Sequence, residues 1–341
     1  MARIRKIVRS ITLGVLAATA AGSQAVGSSP FDGDGQPSRP TKAPRLIAQQ
    51  ATPKQAQTGQ RSDPDFDTSV AKPAYADSHP RVLFDEAHHN FHTAGGRYKP
   101  FADLITHDGY RVIPNQSKFS EEVLKGGDVL VIANALGAEG MGQEGADRSA
   151  FSDDECQAVR KWVEAGGSLL LITDHRPMGP AAEALAKQFG VEMGKNTAID
   201  RLNSEKRSPS CLIFAREKGL VGDHAIMKGR DDSERISKVM TFTGQSLKGP
   251  EGSVPLLKLS DSAQDQSRSG QAVSAAGRCQ GLALRLGKGR VVVLGEAAQL
   301  SAQIFGAAPA VQQMGMNVPG TENRQFALNI MHWLSGLLDR D

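Results

Sequence analysis

The chain has 341 residues, with 40 Lys+Arg against 37 Asp+Glu, 39% hydrophobic and 5% aromatic residues, and three cysteines. Residues 1–25 hold four of the basic residues (Arg3, Arg5, Lys6, Arg9) and no acid, so the remainder carries 40 less 4, or 36, basic residues against 37 acidic ones. A remainder so close to neutral lacks the basic stripe that nucleic-acid binding requires, and no nucleic-acid partner is expected.

Residues 1–25, MARIRKIVRSITLGVLAATAAGSQA, have the plan of a secretory signal: a basic start, an apolar stretch from Ile11 to Ala20, and a small-residue end at Ser23 and Ala25. The apolar stretch is too short to hold a bilayer as a stable helix, so no stable membrane span is expected in the mature chain, which is exported to the periplasm or the extracellular space. Residues 26–80 are rich in Pro, Gln, Ser, Gly and Ala. Such a composition cannot bury enough apolar surface to offset the entropy of ordering it, and it reads as a disordered linker.

Residues 81–341 read as one folded domain. RVLF (81–84) is a strand, 98–107 a helix, YRVIP (110–114) a strand, Glu121 to Lys125 a short helix, and DVLVIAN (128–134) a strand apolar enough to be covered on both faces. Ser152 and Glu155 have the spacing of a capping box, Val159, Trp162 and Val163 continue a helical stripe, and Gly166–Gly167 ends it. SLLLITDH (168–175) is the next buried strand and AAEALAKQFG (181–190) the next helix. This alternation predicts an α/β fold: a mostly parallel sheet with helices on both faces. After residue 207, VMTFTG, VPLLKL, GLALRLG and RVVVLGE read as strands, the last two joined through Gly287–Lys288–Gly289 as an antiparallel hairpin, before a closing helix at 324–339. Cys211 and Cys279 could pair in an exported protein, because Cys156 falls inside a helix; free buried thiols fit equally well.

In open α/β sheets ligands bind outside the carboxyl ends of the strands. Those ends carry Asp85, Glu86, His88 and His89 after the first strand, Asn134 after the third, Asp174, His175 and Arg176 after the fourth, and Glu296 after the last. Two functions follow. As a hydrolase, the chain would use His88, His89, Asp174 and His175 either as ligands of a divalent metal or in acid–base work, with Asp85, Glu86 or Glu296 assisting. As a non-catalytic binding module, the same edge would take a small molecule, a sugar, a peptide or a cell-envelope partner. Each residue alone also has a structural explanation: Asp85 capping its loop, His89 bonding backbone, His175 packed under the next helix, Glu296 capping the segment that follows. The glycine-rich stretch 135–147 lacks the ending of a phosphate-binding loop and suits a lid over the strand ends.

The stretches FDEAHHN, DVLVIANAL, GGSLLLITDHRPMGPAAEALAKQFGV, TFTGQSL, GRVVVLGEAAQLSAQ and GMNVPGTENRQFALNIMHWLSGLL together resemble an uncharacterised bacterial exported family with a class I glutamine amidotransferase-like domain. More distant relatives of that fold include the trehalose-utilisation type and the gliding-motility or intraflagellar-transport type of domain. The resemblance implies a doubly wound, flavodoxin-like sheet. The sequence departs from the working amidotransferases in one respect: no cysteine lies in a Gly-x-Cys-x-Gly turn, so the cysteine mechanism is not expected. Export should remove residues 1–25, and mass spectrometry of the secreted protein should find its new N-terminus close to Val26; an intact Met1 on the mature protein would contradict this.

Overall fold

The computed structural model describes residues 59–339, apart from 207 and 307–309. The expected signal segment and residues 26–58 of the expected linker lie outside the described residues. The alternating part of the sequence forms β1 (Arg81–Asp85), α1 (Lys99–His107), β2 (Arg111–Asn115), α2 (Glu121–Leu124), β3 (Val129–Ala133), α3 (Asp153–Glu164), β4 (Ser168–Ile172) and α4 (Met178–Lys187). The later part adds β5 (Glu192–Met193), α5 (Ala225–Lys228), β6 (Leu247–Lys248), β7 (Val254–Lys258), β8 (Cys279–Leu286), β9 (Gly289–Leu294) and α6 (Asn323–Leu334).

One large mixed sheet runs in the order β2-β1-β3-β4-β9-β8-β6-β5, with β7 also paired to β8. The pairs β2/β1, β1/β3, β3/β4 and β4/β9 are parallel. Beyond β9 every pair is antiparallel. The expected hairpin joins β8 to β9, with Leu286 opposite Gly289 and Gly287 in the left-handed region that only glycine enters without strain. Apolar side chains leave the central strands on both faces. Val82, Phe84, Val129, Val131, Leu170 and Ile172 pack with α1 and α6, and Leu83, Leu130, Ile132, Leu169 and Leu171 pack with α3 and α4. The core is therefore two apolar layers with the sheet between them, which is why these strands read as unbroken apolar runs. The capping box forms as the spacing requires, Ser152 and Glu155 each satisfying the other's backbone N–H.

Three expectations need correction. Residues 59–80 belong to the folded unit: Arg61–Ser62 pairs antiparallel with residues of the strand Ala302–Phe305, Phe66, Val70 and Tyr75 pack on the core, and the backbone N–H of Ala74 donates to Asp108 at 2.8 Å. The apolar residues of this stretch are too widely spaced to show a period, and they are half-buried by long-range packing instead. The predicted strand at 239–244 ends at Met240, after which the chain turns toward the strand ends. Cys211 and Cys279 do not pair, since all three cysteines are free thiols. Among the described residues no helix is long and apolar enough to cross a membrane.

A chain shortened to begin at Ser78 should still melt in one cooperative transition, but several degrees below one that begins at Gly59. The lost contacts of Phe66, Val70 and Tyr75 amount to about 2–4 kcal/mol. Equal melting temperatures by calorimetry would show that the added segment contributes nothing.

Candidate active site

The parallel pairing of β4 with β9 sets Leu294 opposite Ile172, and the N–H of Thr173 donates to the Leu294 carbonyl at 2.9 Å. The next residues of the two strands therefore emerge side by side at the carboxyl edge, and they include Asp174 and Glu296. Glu296 is fully buried. Its carboxylate accepts the N–H of Ala298 at 2.6 Å and of Gln299 at 2.8 Å, and also that of Phe242. Gly244 permits the 241–246 segment to lie this close, because a Cβ there would sit 2.5 Å from Glu296 Cβ. Asp174 accepts the N–H of His175 at 2.9 Å, that of Ala297, and the side-chain amide of Asn134, and its side chain keeps 16% exposure. Burial raises the pKa of both acids well above the usual carboxylate range, and the charge of Asp174 adds to the shift at Glu296. Two like charges cannot both ionise in so little water, so the pair retains a proton at neutral pH.

His175 stands next to Asp174 with its side chain 35% exposed. Its Nδ1 lies 2.9 Å from the Arg176 carbonyl, to which it donates, so Nε2 is left as the acceptor, 3.8 Å from Asp174 Oδ1. Burial first, and the charge of Arg268 as well, push the His175 pKa down against the pull of that carbonyl, so the ring is neutral at pH 7. Gln245 braces the arrangement: its Nε2 donates to Thr173 Oγ1 and to the Asp174 carbonyl, and its Oε1 accepts the N–H of Lys195 at 2.8 Å. Tyr98 closes the floor, its hydroxyl donating to the Ala297 carbonyl at 2.5 Å. Asn134, at φ 51°, holds a left-handed conformation that asparagine tolerates better than most residues, and its Oδ1 is buried without a partner.

The stretch from 83 to 93 goes elsewhere. Asp85 leaves β1 on the face of α3, where His88 is held between two acids: Nδ1 at 2.9 Å from Asp85 Oδ1 and Nε2 at 2.8 Å from Glu155 Oε1. With both ring nitrogens donating, the ring is an imidazolium, sandwiched by Phe119 and Phe151 and 2% exposed. Burial opposes its charge, but the hydrogen bonds and charges of Asp85 and Glu155 outweigh it and raise the His88 pKa. Burial opposes ionisation of Glu155 too, yet bonds from Ser152, His88 and Phe119 hold that acid down to about 2.

Of the expected site residues, the structure brings together Asp174, His175 and Glu296. It does not bring Asp85, Glu86, His88 or His89 to them. Asp85 and His88 are consumed in the clamp on Glu155, Glu86 accepts the N–H of Ala94 at 2.9 Å, and His89 is an exposed residue at φ 48°. The expected metal set His88, His89, Asp174 and His175 is not assembled: both nitrogens of His88 face carboxylates, and among the described residues no three His, Cys, Asp or Glu side chains meet as a metal-binding group. Glu155 went unrecognised as a partner of His88 because its spacing was already explained by the capping box. Tyr98, Gln245 and Arg268 carried no local signal. None of the cysteines sits at a strand-to-helix turn. Cys156 and Cys279 are buried in α3 and β8, and Cys211 is half-buried on the strand Ser208–Ala215, its thiol pKa raised by burial and by the charge of Glu296.

The sequence matches no protein-family model, and no curated protein sequence is similar to it. Some solved structures are similar to it. The mmIFT52 N-terminal domain superposes with a TM-score of 0.53 at 13% identity, over 75% of this chain and 97% of that one. A cytoplasmic protein from Salmonella typhimurium LT2 gives 0.44 at 14% identity, over 74% and 99% of the two chains. A ThuA-like protein from Bacteroides uniformis gives 0.38 at 12% identity, over 78% and 93%. At 13% identity the likeness to the mmIFT52 domain is one of fold alone.

The buried clamp makes a stability prediction. His88 binds its proton more tightly when folded, so its contribution is complete below the unfolded histidine pKa of about 6.5 and is lost as pH rises through the folded value. Glu155, held down, contributes fully above the unfolded value of about 4.3 and loses its contribution as pH falls through the folded one. His88→Gln should therefore cost about 3–5 kcal/mol, by leaving two buried acids without their cation. Denaturant titrations should find the gap from wild type widest between about pH 5 and 6.5, and a gap independent of pH would show that the ring is neutral in the fold.

Proposed function

We propose that this chain is an exported hydrolase that works by acid–base chemistry at Asp174 and His175, on a doubly wound, flavodoxin-like sheet of the amidotransferase type that does not use a cysteine nucleophile. The observation that carries the reading is the pairing of a protonated carboxyl with a neutral imidazole at one strand end. The environments of Asp174 and His175 push their pKa values in opposite directions, so each is neutral near pH 7 and ready for the opposite task. The fold assignment is supported by the order of the five parallel strands, β2-β1-β3-β4-β9, and by the apolar layers on both faces. Export is supported by residues 1–25.

In this reading the free Nε2 of His175 takes a proton from an attacking water, and the Asp174 carboxyl gives its proton to the departing group. Both side chains are partly open to solvent, 35% and 16% exposed, so both can touch a substrate. Glu296 is fully buried and acts through Asp174 as a positioning residue. The hydrogen bond from His175 Nδ1 to the Arg176 carbonyl fixes the tautomer, as a base requires.

The test is a panel of nitrophenyl esters, glycosides and phosphates assayed with the wild type, Asp174→Asn and His175→Gln. Each variant should lose about 10²–10⁴ in rate while keeping its melting temperature. The wild-type rate should fall on the alkaline side as Asp174 ionises and on the acid side as His175 gains a proton, and Asp174→Asn should abolish the alkaline limb. Unchanged rates in both variants would overturn the assignment. A ligand bound without turnover, and lost in both variants, would favour the binding-module reading.

A further inference from the structure

The hairpin of β8 and β9 sets Ala283 opposite Val292 and Leu286 opposite Gly289, at the end of the sheet where β9 starts, whereas Glu296 lies beyond the other end of that strand. Here, away from the Asp174 mouth, a cleft of about 630 Å³ is bounded by β8, the end of α4, the 250–254 turn and Trp333 of α6. Sites for small molecules span about 300–1,000 Å³, so this cleft can hold one. Its walls are mixed. Phe189, Pro250, Val254 and Leu284 give it apolar surface, and Arg160, Lys187 and Arg285 reach it from α3, α4 and β8.

One indole gathers the polar groups. The Trp333 ring meets the His224 ring edge-on, with 4.8 Å between centroids and 72° between planes, and the Arg285 guanidinium stands 5.8 Å from the same ring, a cation–π contact. His224 caps α5: its Nδ1 accepts the N–H of Ile226 at 3.2 Å, so the ring proton sits on Nε2, which has no hydrogen-bond partner among the described residues. Burial first, and the charges of Arg285 and Lys228 after it, push the His224 pKa down to about 4, so the ring is a neutral donor at pH 7. The acids around the cleft do not match its cations one for one. Arg160 is met by Glu164 at 3.0 Å, but Asp339 is divided between Arg285 and Arg290, and Glu183 between Lys187 and Lys195, so these two carboxylates serve four cations. Among the described lining residues only Glu251 is acidic. A guanidinium that shares its acid, and an N–H donor fixed by its own cap, both against one aromatic ring, are the partners that a carboxylate on an apolar body requires.

We infer that this cleft binds a small organic carboxylate with an apolar or aromatic body. The carboxylate bridges Arg285 and the His224 Nε2–H, and the body lies against Trp333 and the apolar wall. A monoanion suits the single positive charge left where Arg285 and Arg290 share Asp339. The site is separate from Asp174 and His175 and does not rest on the acid–base reading of those residues.

The experiment titrates the full chain with sodium 2-naphthoate and with sodium octanoate, measuring affinity by calorimetry and following the indole N–H signals of the two tryptophans, Trp162 and Trp333, by NMR. At least one of the two carboxylates should bind at one molecule per chain and shift the Trp333 signal saturably, leaving that of Trp162, which does not line the cleft, in place. Binding should weaken about tenfold when 2-naphthamide replaces the naphthoate or when Arg285 is changed to Gln, and by less in Arg285→Lys, which keeps the charge without the fork. His224→Asn retains a side chain able to cap α5 but removes the Nε2 donor, so it should weaken binding with an unchanged melting temperature. Absence of a saturable Trp333 shift with both carboxylates, or equal affinities of wild type and Arg285→Gln, overturns the inference. Asp174→Asn should bind as the wild type does, and loss of binding in that variant would place the ligand at the strand-end mouth and overturn the inference as well.

Discussion

The structure turns on the placing of two carboxyl groups where two charges cannot coexist. Parallel pairing of Ile172 with Leu294 brings Asp174 and Glu296 out together at the carboxyl edge, and the apolar layers on either side of the sheet deny them the water that would let both ionise. Everything nearby answers this constraint. Backbone N–H groups of Phe242, Ala298 and Gln299 converge on Glu296, those of His175 and Ala297 on Asp174, and Gly244 gives up a side chain so that the 241–246 segment can reach them. The donors limit the cost of burial without removing it, which keeps a proton on the pair at neutral pH.

A second polar cluster lies on the other face of the same edge and solves the same problem in the opposite way. Asp85 and Glu155 are also buried acids, but a histidine lies between them with both nitrogens donating, its single positive charge is shared by the two, and N–H donors of Ala87, Asn90, Phe119 and Ser152 take up the rest behind Phe119 and Phe151. A cluster whose polar atoms are bonded to one another has none left for a ligand, whereas the Asp174 pair retains exposure, a neighbouring neutral imidazole and an unpartnered Asn134 Oδ1. The contrast separates a closed clamp from an open edge better than residue type does, since both contain histidine and carboxylate.

The antiparallel additions give the edge its surroundings. The strand β8 extends the parallel set, and the segments between β5 and β8 fold back over the strand ends to supply Gln245 and the Phe242 N–H. At the far edge a cleft of about 630 Å³ is lined by residues such as Arg160, Lys187 and Arg285, whose charges are met by Glu164, Glu183 and Asp339.

The sequence by itself determined the alternating strands and helices of 81–190, the capping box at Ser152, the hairpin at Gly287–Lys288 and the closing helix, because apolar periodicity, caps and turns are local and each depends on residues a few positions apart. It also marked Asp174, His175 and Glu296, since strand ends can be read wherever strands can. What only the tertiary structure decided was the division of the polar residues between the two faces. A strand sends neighbouring side chains to opposite sides, so Asp85 faced α3 and met Glu155, 70 positions away in the chain, while Asp174 met Glu296 across a parallel pairing. The packing of residues 59–80 and the freedom of Cys211 and Cys279 were decided in the same way. Each depends on which distant segments pair, and pairing partners leave no periodicity in either segment alone.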